Sequence, residues 1–271
     1  MAPTTERTSS DLATAARELL ALHRAGDPLV LVNVWDVAGA TRVQQAGARA
    51  VATSSAAIAA SLGQPDDDSG DVDAIFAVLT RIAAASAVPV TADLEAGYGL
   101  AAPELVERML TAGIVGCNLE DSDHTTPGTQ VDAGAHADRL AAVRAAARDA
   151  GVDLVINARV DSILRAGDRG VEEVLPDVIA RSRRYLDAGA SCVYPIRLTD
   201  PGLVRRVVDE VGGPVNANLA GGGRAPGSAG AEPGSTVADQ AAAGAARVSL
   251  GARPFFVAMG AFDEVAAAVL G

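Results

Sequence analysis

The sequence predicts an α/β fold, a (β/α)8 TIM-type barrel, from a recurring phrase and from the number of strands. In this phrase a helical stretch ends on Ala-Gly, and a short run rich in Val and Ile follows. The five copies are QQAGARAVATS (44–54), LTAGIVGCNLED (110–121), RDAGVDLVINAR (148–159), LDAGASCVYPIR (186–197) and AAAGAARVSLGAR (241–253). Because a left-handed glycine often ends a helix, that conformation is predicted for the glycine of each copy. These are Gly47, Gly113, Gly151, Gly189 and Gly244.

Three further strands lack this lead-in: LVLVN (29–33), VPVTAD (88–93) and GPVNAN (213–218). Eight strands that alternate with helices in a chain of 271 residues indicate a barrel. The alternative is a doubly wound sheet, which is expected to carry a glycine-rich nucleotide turn after an early strand. Here the first strand runs into NVWDVAG, which is no such turn.

The helices follow from the spacing of apolar residues between the strands. They are predicted at about 37–46, 71–85, 102–112, 134–150, 171–188, 200–211, 235–243 and 252–269. An additional amphipathic helix at about 9–24 precedes the first strand and is expected to close the bottom of the barrel. The Gly-, Pro- and Ser-rich stretch 220–235 is typical of a flexible linker. We expect residues 1–271 to form one barrel domain.

Composition and charge exclude several classes of partner and chemistry. The net charge of −12 argues against nucleic acid and against a membrane surface, since both need clustered positive charge. All 22 basic residues are arginine, which excludes a lysine Schiff base and a P-loop lysine. Cys117 and Cys192 suit two buried, reduced thiols. Without a long apolar span or a signal peptide, the protein is expected to be cytoplasmic.

Polar side chains collect where the predicted strands end, and in a barrel those ends face one pocket. They are Asn33, Trp35, Asp36, Thr53, Ser54, Ser55, Asp93, Glu95, Glu120, Asp121, Arg159, Asp161, Arg197, Asn216 and Asn218. The carboxylates suit a hard divalent cation, and the arginine suits a substrate carboxylate or phosphonate. Trp35 suits the pocket wall or packing, and Asp121 and Asp161 could instead be helix caps.

At these residues the sequence resembles the isocitrate lyase/phosphoenolpyruvate mutase superfamily. The motifs are TSSAAIAASLGQPD, VTADLEAGYG, GCNLEDS and INARVDS, in that order, and the resemblance covers nearly the whole chain. It implies a (β/α)8 barrel, dependence on Mg²⁺ (with Mn²⁺ as a substitute), and a homodimer or homotetramer. It also implies that the last helix is exchanged between paired subunits.

The resemblance extends to individual residues. It implies that Asp93 binds Mg²⁺ directly, and that Glu95, Glu120 and Asp66 hold metal-bound water molecules. Glu95 stands where many members have aspartate. The segment with Ser54 and Ser55 is implied to bind the carboxylate of a 2-oxo acid. Further substrate contacts are expected from Arg159, which matches the substrate-binding arginine, and from Trp35 and Asn218 at other strand ends.

One loop departs from the family pattern. Residues 120–128 read EDSDHTTPG, without the Lys and Cys of the lyases or the Lys of the phosphonomutases. We therefore predict a Mg²⁺-dependent lyase that breaks a C–C bond in a small 2-oxo or 2-hydroxy di- or tricarboxylate. The acid–base group is His124, Glu120 or a metal-bound water. The alternatives are P–C bond chemistry on a phosphonate and a protein that binds 2-oxo acids without catalysis.

The composition of residues 121–130 is that of a mobile loop, rich in Gly, Pro and small polar residues. In a barrel this loop follows the fourth strand. We expect it to close over bound substrate and to exclude water from the reaction.

Overall fold

The computed structural model describes residues 8–126, 128–219 and 234–271. The strands in these ranges are β1 (Leu29–Leu31), β2 (Val51–Ala52), β3 (Val90–Asp93), β4 (Gly116–Glu120), β5 (Ser122–Asp123), β6 (Thr129–Gln130), β7 (Val155–Val160), β8 (Cys192–Pro195), β9 (Asn216–Asn218) and β10 (Arg247–Ser249). β5 and β6 form a small antiparallel hairpin, and the other eight strands are parallel to their neighbours.

The eight parallel strands form a closed wall. One run has the order β2-β3-β4-β7-β8, and the other has the order β1-β10-β9. Single parallel bridges join the two runs at both seams, Val34 with Thr53 and Val193 with Val215. The prediction of a (β/α)8 barrel is confirmed.

Helices cover the outside of this wall. They are α1 (Ser9–Ala21), α2 (Val37–Gln45), α3 (Ser55–Leu62), α4 (Val72–Ala84), α5 (Ala102–Thr111), α6 (Ala133–Asp149), α7 (Val171–Asp187), α8 (Pro201–Val211), α9 (Val237–Ala242) and α10 (Arg253–Leu270). None of the helices in the described ranges combines the length and the apolar character that crossing a membrane requires. The linker predicted at 220–235 lies outside the described residues, apart from its last two positions.

The recurring Ala-Gly phrase ends helices as the sequence predicts. The five glycines have positive φ: Gly47, Gly113, Gly151, Gly189 and Gly244. After α2, the Gly47 N–H donates to the Gln44 carbonyl and the Ala48 N–H donates to the Val43 carbonyl, which is the Schellman pattern. This turn reverses the chain and starts the next strand within a few residues.

Helix α1 closes the bottom of the barrel, as predicted. Its buried face consists of Leu12, Ala16 and Leu19. Leu19 lies against the start of β4, where a Cβ atom on Gly116 would come within 2.7 Å of a Leu19 methyl carbon. A glycine at the first position of β4 therefore makes room for the helix.

The sequence does not predict α3 or the β5–β6 hairpin. The α3 sequence SAAIAASL is apolar on most sides, so it has no amphipathic period. The residues at its two ends do indicate a helix. The Ser54 hydroxyl caps the N-terminus by accepting a hydrogen bond from the Ala57 N–H, and Gly63 ends the helix in the left-handed conformation. The two cysteines fit their prediction, since Cys117 and Cys192 are free and buried.

The last helix, α10, buries only Phe255 and leaves most of its apolar side chains in solvent. Phe262 is 68% exposed and Val269 is 77% exposed, and Phe256, Val265 and Leu270 are also exposed. Soluble monomers rarely show a contiguous apolar face of this kind, and such faces mark interaction sites. This face supports the proposal that α10 packs on a second copy of the chain.

We expect Phe262→Glu to separate the oligomer into folded monomers, because the charge would be buried without a partner in the interface. Light scattering coupled to gel filtration measures the mass, and circular dichroism reports the fold. Asp263→Ala, at an exposed polar position next to it, is the matched control and should keep the wild-type mass. Deletion of residues 254–271 should give monomers or aggregates. A truncated chain that remains a well-folded oligomer would contradict the proposal.

Candidate active site

Asp93 ends β3, and its carboxylate is held from two sides. The N–H and the hydroxyl of Ser55 donate to Oδ2 over 3.3 and 3.1 Å. The side-chain amide of Asn118 donates to Oδ1 over 3.3 Å, because residues 93 and 118 are register partners in β3 and β4. These donors fix the direction of the Asp93 carboxylate at the end of the barrel where the C-termini of the parallel strands meet. We call this end the mouth.

Glu95 follows in the Gly-rich turn and is only 2% exposed. The N–H of Asp68 donates to Oε2 of Glu95 over 2.5 Å. Burial raises the pKa of Glu95 to about 8; the Asp68 N–H opposes this shift, and the charge of Asp66 adds to it. The carboxylates are therefore crowded at this point of the mouth.

Strained backbone collects in the same place. The non-glycine residues with positive φ in the described ranges are Asp68 in the loop between α3 and α4, Glu95 and Tyr98 after β3, and Arg197 after β8. Asp68 links the first three, since its N–H binds Glu95 and its carboxylate accepts the Tyr98 N–H over 2.8 Å. Such conformations cost about 1–3 kcal/mol each and cluster at functional sites.

Glu120 and Arg159 form an ion pair at the ends of β4 and β7, where they are register partners. Asp161 anchors the arginine, because Nε and one terminal nitrogen of Arg159 donate to its two oxygens over 2.7 and 2.9 Å. Glu120 is buried, and this burial raises its pKa while the Arg159 charge opposes the shift. The guanidinium is thus held in one orientation that faces the mouth.

Asp121 and Asp161 do not cap helices, so that alternative is wrong. Both carboxylates are buried and serve as hydrogen-bond acceptors beneath the mouth. The hydroxyl of Tyr185 donates to Asp121 over 2.7 Å, and Arg181 pairs with the same oxygen over 3.1 Å. The Asp161 N–H donates to the other Asp121 oxygen over 2.9 Å, which ties the two loops together.

His124 lies on the β5–β6 hairpin, above Glu120. Its Nε2 atom is 2.8 Å from Oε1 of Glu120, so the imidazole donates to the carboxylate. This hydrogen bond raises the pKa of His124, against the effect of desolvation. Asp123 folds the hairpin by accepting the N–H and the hydroxyl of Thr125 over 2.9 and 2.6 Å. The loop predicted to be mobile thus contains regular structure, and its closure over substrate stays a prediction.

Four other predicted residues lie around this centre. Ser54 is buried and its hydroxyl caps α3, while Trp35 packs edge-on against Phe255 at 5.2 Å between ring centres. The amide of Asn218 donates to the Tyr194 hydroxyl over 2.7 Å and to the Ser249 carbonyl over 3.0 Å. Asp66 is exposed as a residue, but its carboxyl group is sheltered near Asp93. That burial and the Asp93 charge raise the pKa of Asp66.

A cavity of about 850 Å³ lies beside the mouth, between the ends of β8–β10 and helix α10. Tyr194 and Asn218 line it, and so do Arg197, Arg253 and Phe256. Tyr194 is the register partner of Arg159 in β8 and β7, so this tyrosine lies between the cavity and the carboxylates at the mouth.

The carboxylates at the mouth fit a cation that keeps much of its water. In the described part of the chain, no three His, Cys, Asp or Glu side chains form a ready-made chelating set. Mg²⁺ usually keeps several waters and takes one or two protein carboxylates, so it does not need such a set. Burial and neighbouring negative charges raise the pKa of Glu95 and of Asp66, and a bound cation would offset both effects.

The sequence reading missed Asp68 and Asn118 as parts of the site. Asp68 belongs to the acidic run DDDSGD, which is indistinguishable from a solvated loop until its backbone meets Glu95. Asn118 could have been predicted from its position in the strand. It stands two positions before Glu120 in β4, and side chains two apart point to the same face of a strand.

The fold and the site together define a (β/α)8-barrel protein. At the C-terminal ends of its strands it carries a cluster of carboxylates, Asp93, Glu95 and Glu120, and Arg159 forms an ion pair with Glu120. The family model of phosphoenolpyruvate phosphomutase matches residues 19–270, so the chain belongs to this family. The chain is 30% identical over 203 residues to 2-methylisocitrate lyase of Escherichia coli (strain K12), covering 71% of this chain and 66% of the relative.

Two solved structures extend the match. A Burkholderia cenocepacia J2315 protein described as a candidate phosphonomutase shares 37% identity with a TM-score of 0.80, covering 94% of this chain and 98% of the other. The 2,3-dimethylmalate lyase shares 27% identity with a TM-score of 0.76, covering 92% and 82%. The resemblance to the isocitrate lyase/phosphoenolpyruvate mutase superfamily is confirmed, and its members are lyases and mutases.

Proposed function

We propose that the protein is a Mg²⁺-dependent lyase that cleaves a C–C bond in a small 2-oxo or 2-hydroxy di- or tricarboxylate. One observation carries the proposal: Asp93, Glu95 and Glu120 stand at one barrel mouth with a fixed Arg159 and a histidine in contact with Glu120. The lyases among the relatives support C–C chemistry, while the phosphomutase family model and the candidate phosphonomutase keep P–C chemistry as the alternative.

In this proposal Asp93 holds the cation directly, and Glu95, Glu120 and Asp66 hold water molecules around it. When bound, the cation polarises substrate oxygen atoms and stabilises the negative charge that develops as the bond breaks. Ser55 and Asn118 donate hydrogen bonds to the two Asp93 oxygens, so this carboxylate is already oriented before the cation binds. The buried surroundings of Glu95 strengthen the charge interactions at the mouth.

Arg159 has the donors needed to hold a substrate carboxylate. A guanidinium has five N–H groups. Three of the Arg159 contacts go to Asp161 and Glu120, so N–H groups on its terminal nitrogens stay available. Because Asp161 fixes the plane of the guanidinium, a carboxylate would meet it in one orientation.

His124 is the residue best placed for proton transfer. Glu120 orients its imidazole through a 2.8 Å hydrogen bond, which is the usual relation between an acid–base residue and the group that positions it. The loop has neither Lys nor Cys. In our proposal His124 donates a proton to the carbon atom released by C–C cleavage, and the proton lost from the 2-hydroxyl group passes to solvent.

Turnover of a substrate panel tests the function. The panel contains alkyl-substituted malates, methylisocitrate-like tricarboxylates and phosphonopyruvate, each with Mg²⁺ and followed by ¹H and ³¹P NMR. We expect two C–C cleavage products, one of them a 2-oxo acid, from at least one carboxylate. Phosphate release from phosphonopyruvate would instead support P–C chemistry. Binding of 2-oxo acids in calorimetry without any turnover would support a non-catalytic binding protein.

A further inference from the structure

Arg247 is a buried arginine in the interior of the barrel. It stands on β10, is 1% exposed, and is among the largest side chains that are fully buried. No carboxylate of a described residue lies within ion-pair distance of its guanidinium, in contrast to Arg159 and Arg181. A buried cation without a counter-ion is costly, so its retention in a barrel core calls for a role beyond packing.

The guanidinium is connected to the acidic centre through one side chain. A terminal nitrogen of Arg247 donates to Oδ1 of Asn118 over 3.2 Å, and Nε donates to the Ser249 hydroxyl over 3.3 Å. Asn118 in turn donates to Asp93 over 3.3 Å. Burial lowers the pKa of Arg247, and the negative charge of Asp93 is among the charges that oppose this shift.

This arrangement has a fixed direction because a guanidinium can only donate hydrogen bonds. The Asn118 oxygen must face Arg247, which leaves the Asn118 amino group to face Asp93. Asn157 also donates to the Asn118 oxygen, over 2.8 Å, but an amide can turn round and present its own oxygen. Among the described residues, the Asn157 oxygen has no hydrogen-bond partner that would prevent this. Of the two donors to the Asn118 oxygen, Arg247 is therefore the one that cannot reverse, and it holds the amide in the direction that Asp93 accepts at the amino end.

We propose that Arg247 is a positioning residue, which acts through Asn118 to hold the Asp93 carboxylate in the orientation that binds a divalent cation. The proposal rests on the proposed function only in naming the cation. Were Asn118 to turn, its oxygen would oppose the Asp93 carboxylate and push it out of its present position. Arg247 itself does not touch the cation or the substrate.

The test compares Arg247→Gln with Arg247→Lys and measures Mn²⁺ affinity by electron paramagnetic resonance. Glutamine can donate or accept, so it no longer sets the direction, and Mn²⁺ should bind roughly 10–100-fold more weakly, as for other residues behind a metal ligand. Lysine only donates, so Arg247→Lys should bind Mn²⁺ more tightly than Arg247→Gln. Thr91→Val is the control, because the Thr91 hydroxyl lies in the same interior and has no hydrogen-bond partner in the part of the chain that the structure describes. It should leave the affinity unchanged.

A double-mutant cycle shows whether the effect passes through Asn118. Asn118→Ala should weaken Mn²⁺ binding as much as Arg247→Gln does, and the double variant should be no weaker than Asn118→Ala alone. Additive losses would overturn the proposal, and so would wild-type affinity in a folded Arg247→Gln variant. Should that variant not fold, Asn118→Ala decides, since alanine removes both the acceptor for Arg247 and the donor to Asp93 without adding a charge. Wild-type affinity in Asn118→Ala would overturn the relay.

A crystal structure of Arg247→Gln without metal separates this proposal from the proposed function. We expect the 3.3 Å contact between Asn118 and Asp93 to be lost and the Asp93 side chain to change rotamer. An unchanged contact would overturn the positioning role. If the wild-type protein does not bind Mn²⁺ but the contact is lost in the variant, the metal-dependent function fails and the positioning of Asp93 stands.

Discussion

Replacing Asp93 by Asn is expected to lower turnover strongly and to weaken metal binding while the barrel stays folded. The carboxylate is the direct ligand in the proposed site, and its three donors from Ser55 and Asn118 suit an acceptor on both oxygens. An asparagine would direct an amino group at one of these donors, so neither the charge nor the geometry of the ligand would survive. Loss of metal-assisted charge stabilisation, worth several kcal/mol, predicts a decrease in turnover of about 10²–10⁴-fold.

The measurements are turnover on a substrate from the panel and Mn²⁺ titration, with thermal unfolding as the test of fold. Asp187→Asn is the matched control, because Asp187 is exposed at the end of α7. It should keep wild-type activity and affinity. In the wild-type protein, EDTA should abolish turnover and Mg²⁺ or Mn²⁺ should restore it. Full activity after exhaustive chelation would disprove the metal-dependent proposal.

The barrel could be predicted because its determinants are local. Each Ala-Gly phrase contains a helix end, a left-handed glycine and the start of a buried strand, and Gly47 and Gly113 adopt that conformation. Eight such strand–helix units in one domain, without a glycine-rich nucleotide turn after the first strand, match the (β/α)8 barrel rather than a doubly wound sheet. The convergence of Asp93, Glu120 and Arg159 followed from the same rule, since the ends of parallel strands share one face.

The contacts that orient the site residues join positions far apart in the sequence, so they could not be predicted from it. The bond between the Asp68 N–H and Glu95 joins residues 27 positions apart. The contact of Arg247 with Asn118 spans 129 positions and crosses the barrel interior. An arginine in a β-rich run is usually read as an exposed residue, because burial of its charge is costly. Only the closed wall shows that Arg247 points inwards.

The second large effect is expected for His124→Gln, with a decrease in turnover of about 10²–10⁴-fold and little change in substrate binding. Glutamine can keep a hydrogen bond to Glu120 close to the position of Nε2, so the hairpin should hold its place while the titrating group is lost. The charge and position of Arg159 are unaffected by the change, because Asp161 holds the guanidinium.

Proton exchange on the carboxylate product isolates this step from bond cleavage, because the carbon atom that His124 protonates belongs to that product. In D₂O, with Mg²⁺ and a 2-oxo acid present, the wild-type protein should exchange the α-protons of the carboxylate product, and His124→Gln should not. Thr125→Ala is the control, since Thr125 lies in the same hairpin and bonds Asp123 rather than Glu120. If His124→Gln alters turnover less than a few-fold and keeps the exchange, His124 only orders the hairpin. The proton would then be carried by Glu120, whose buried carboxyl group lies beside the imidazole at the same mouth.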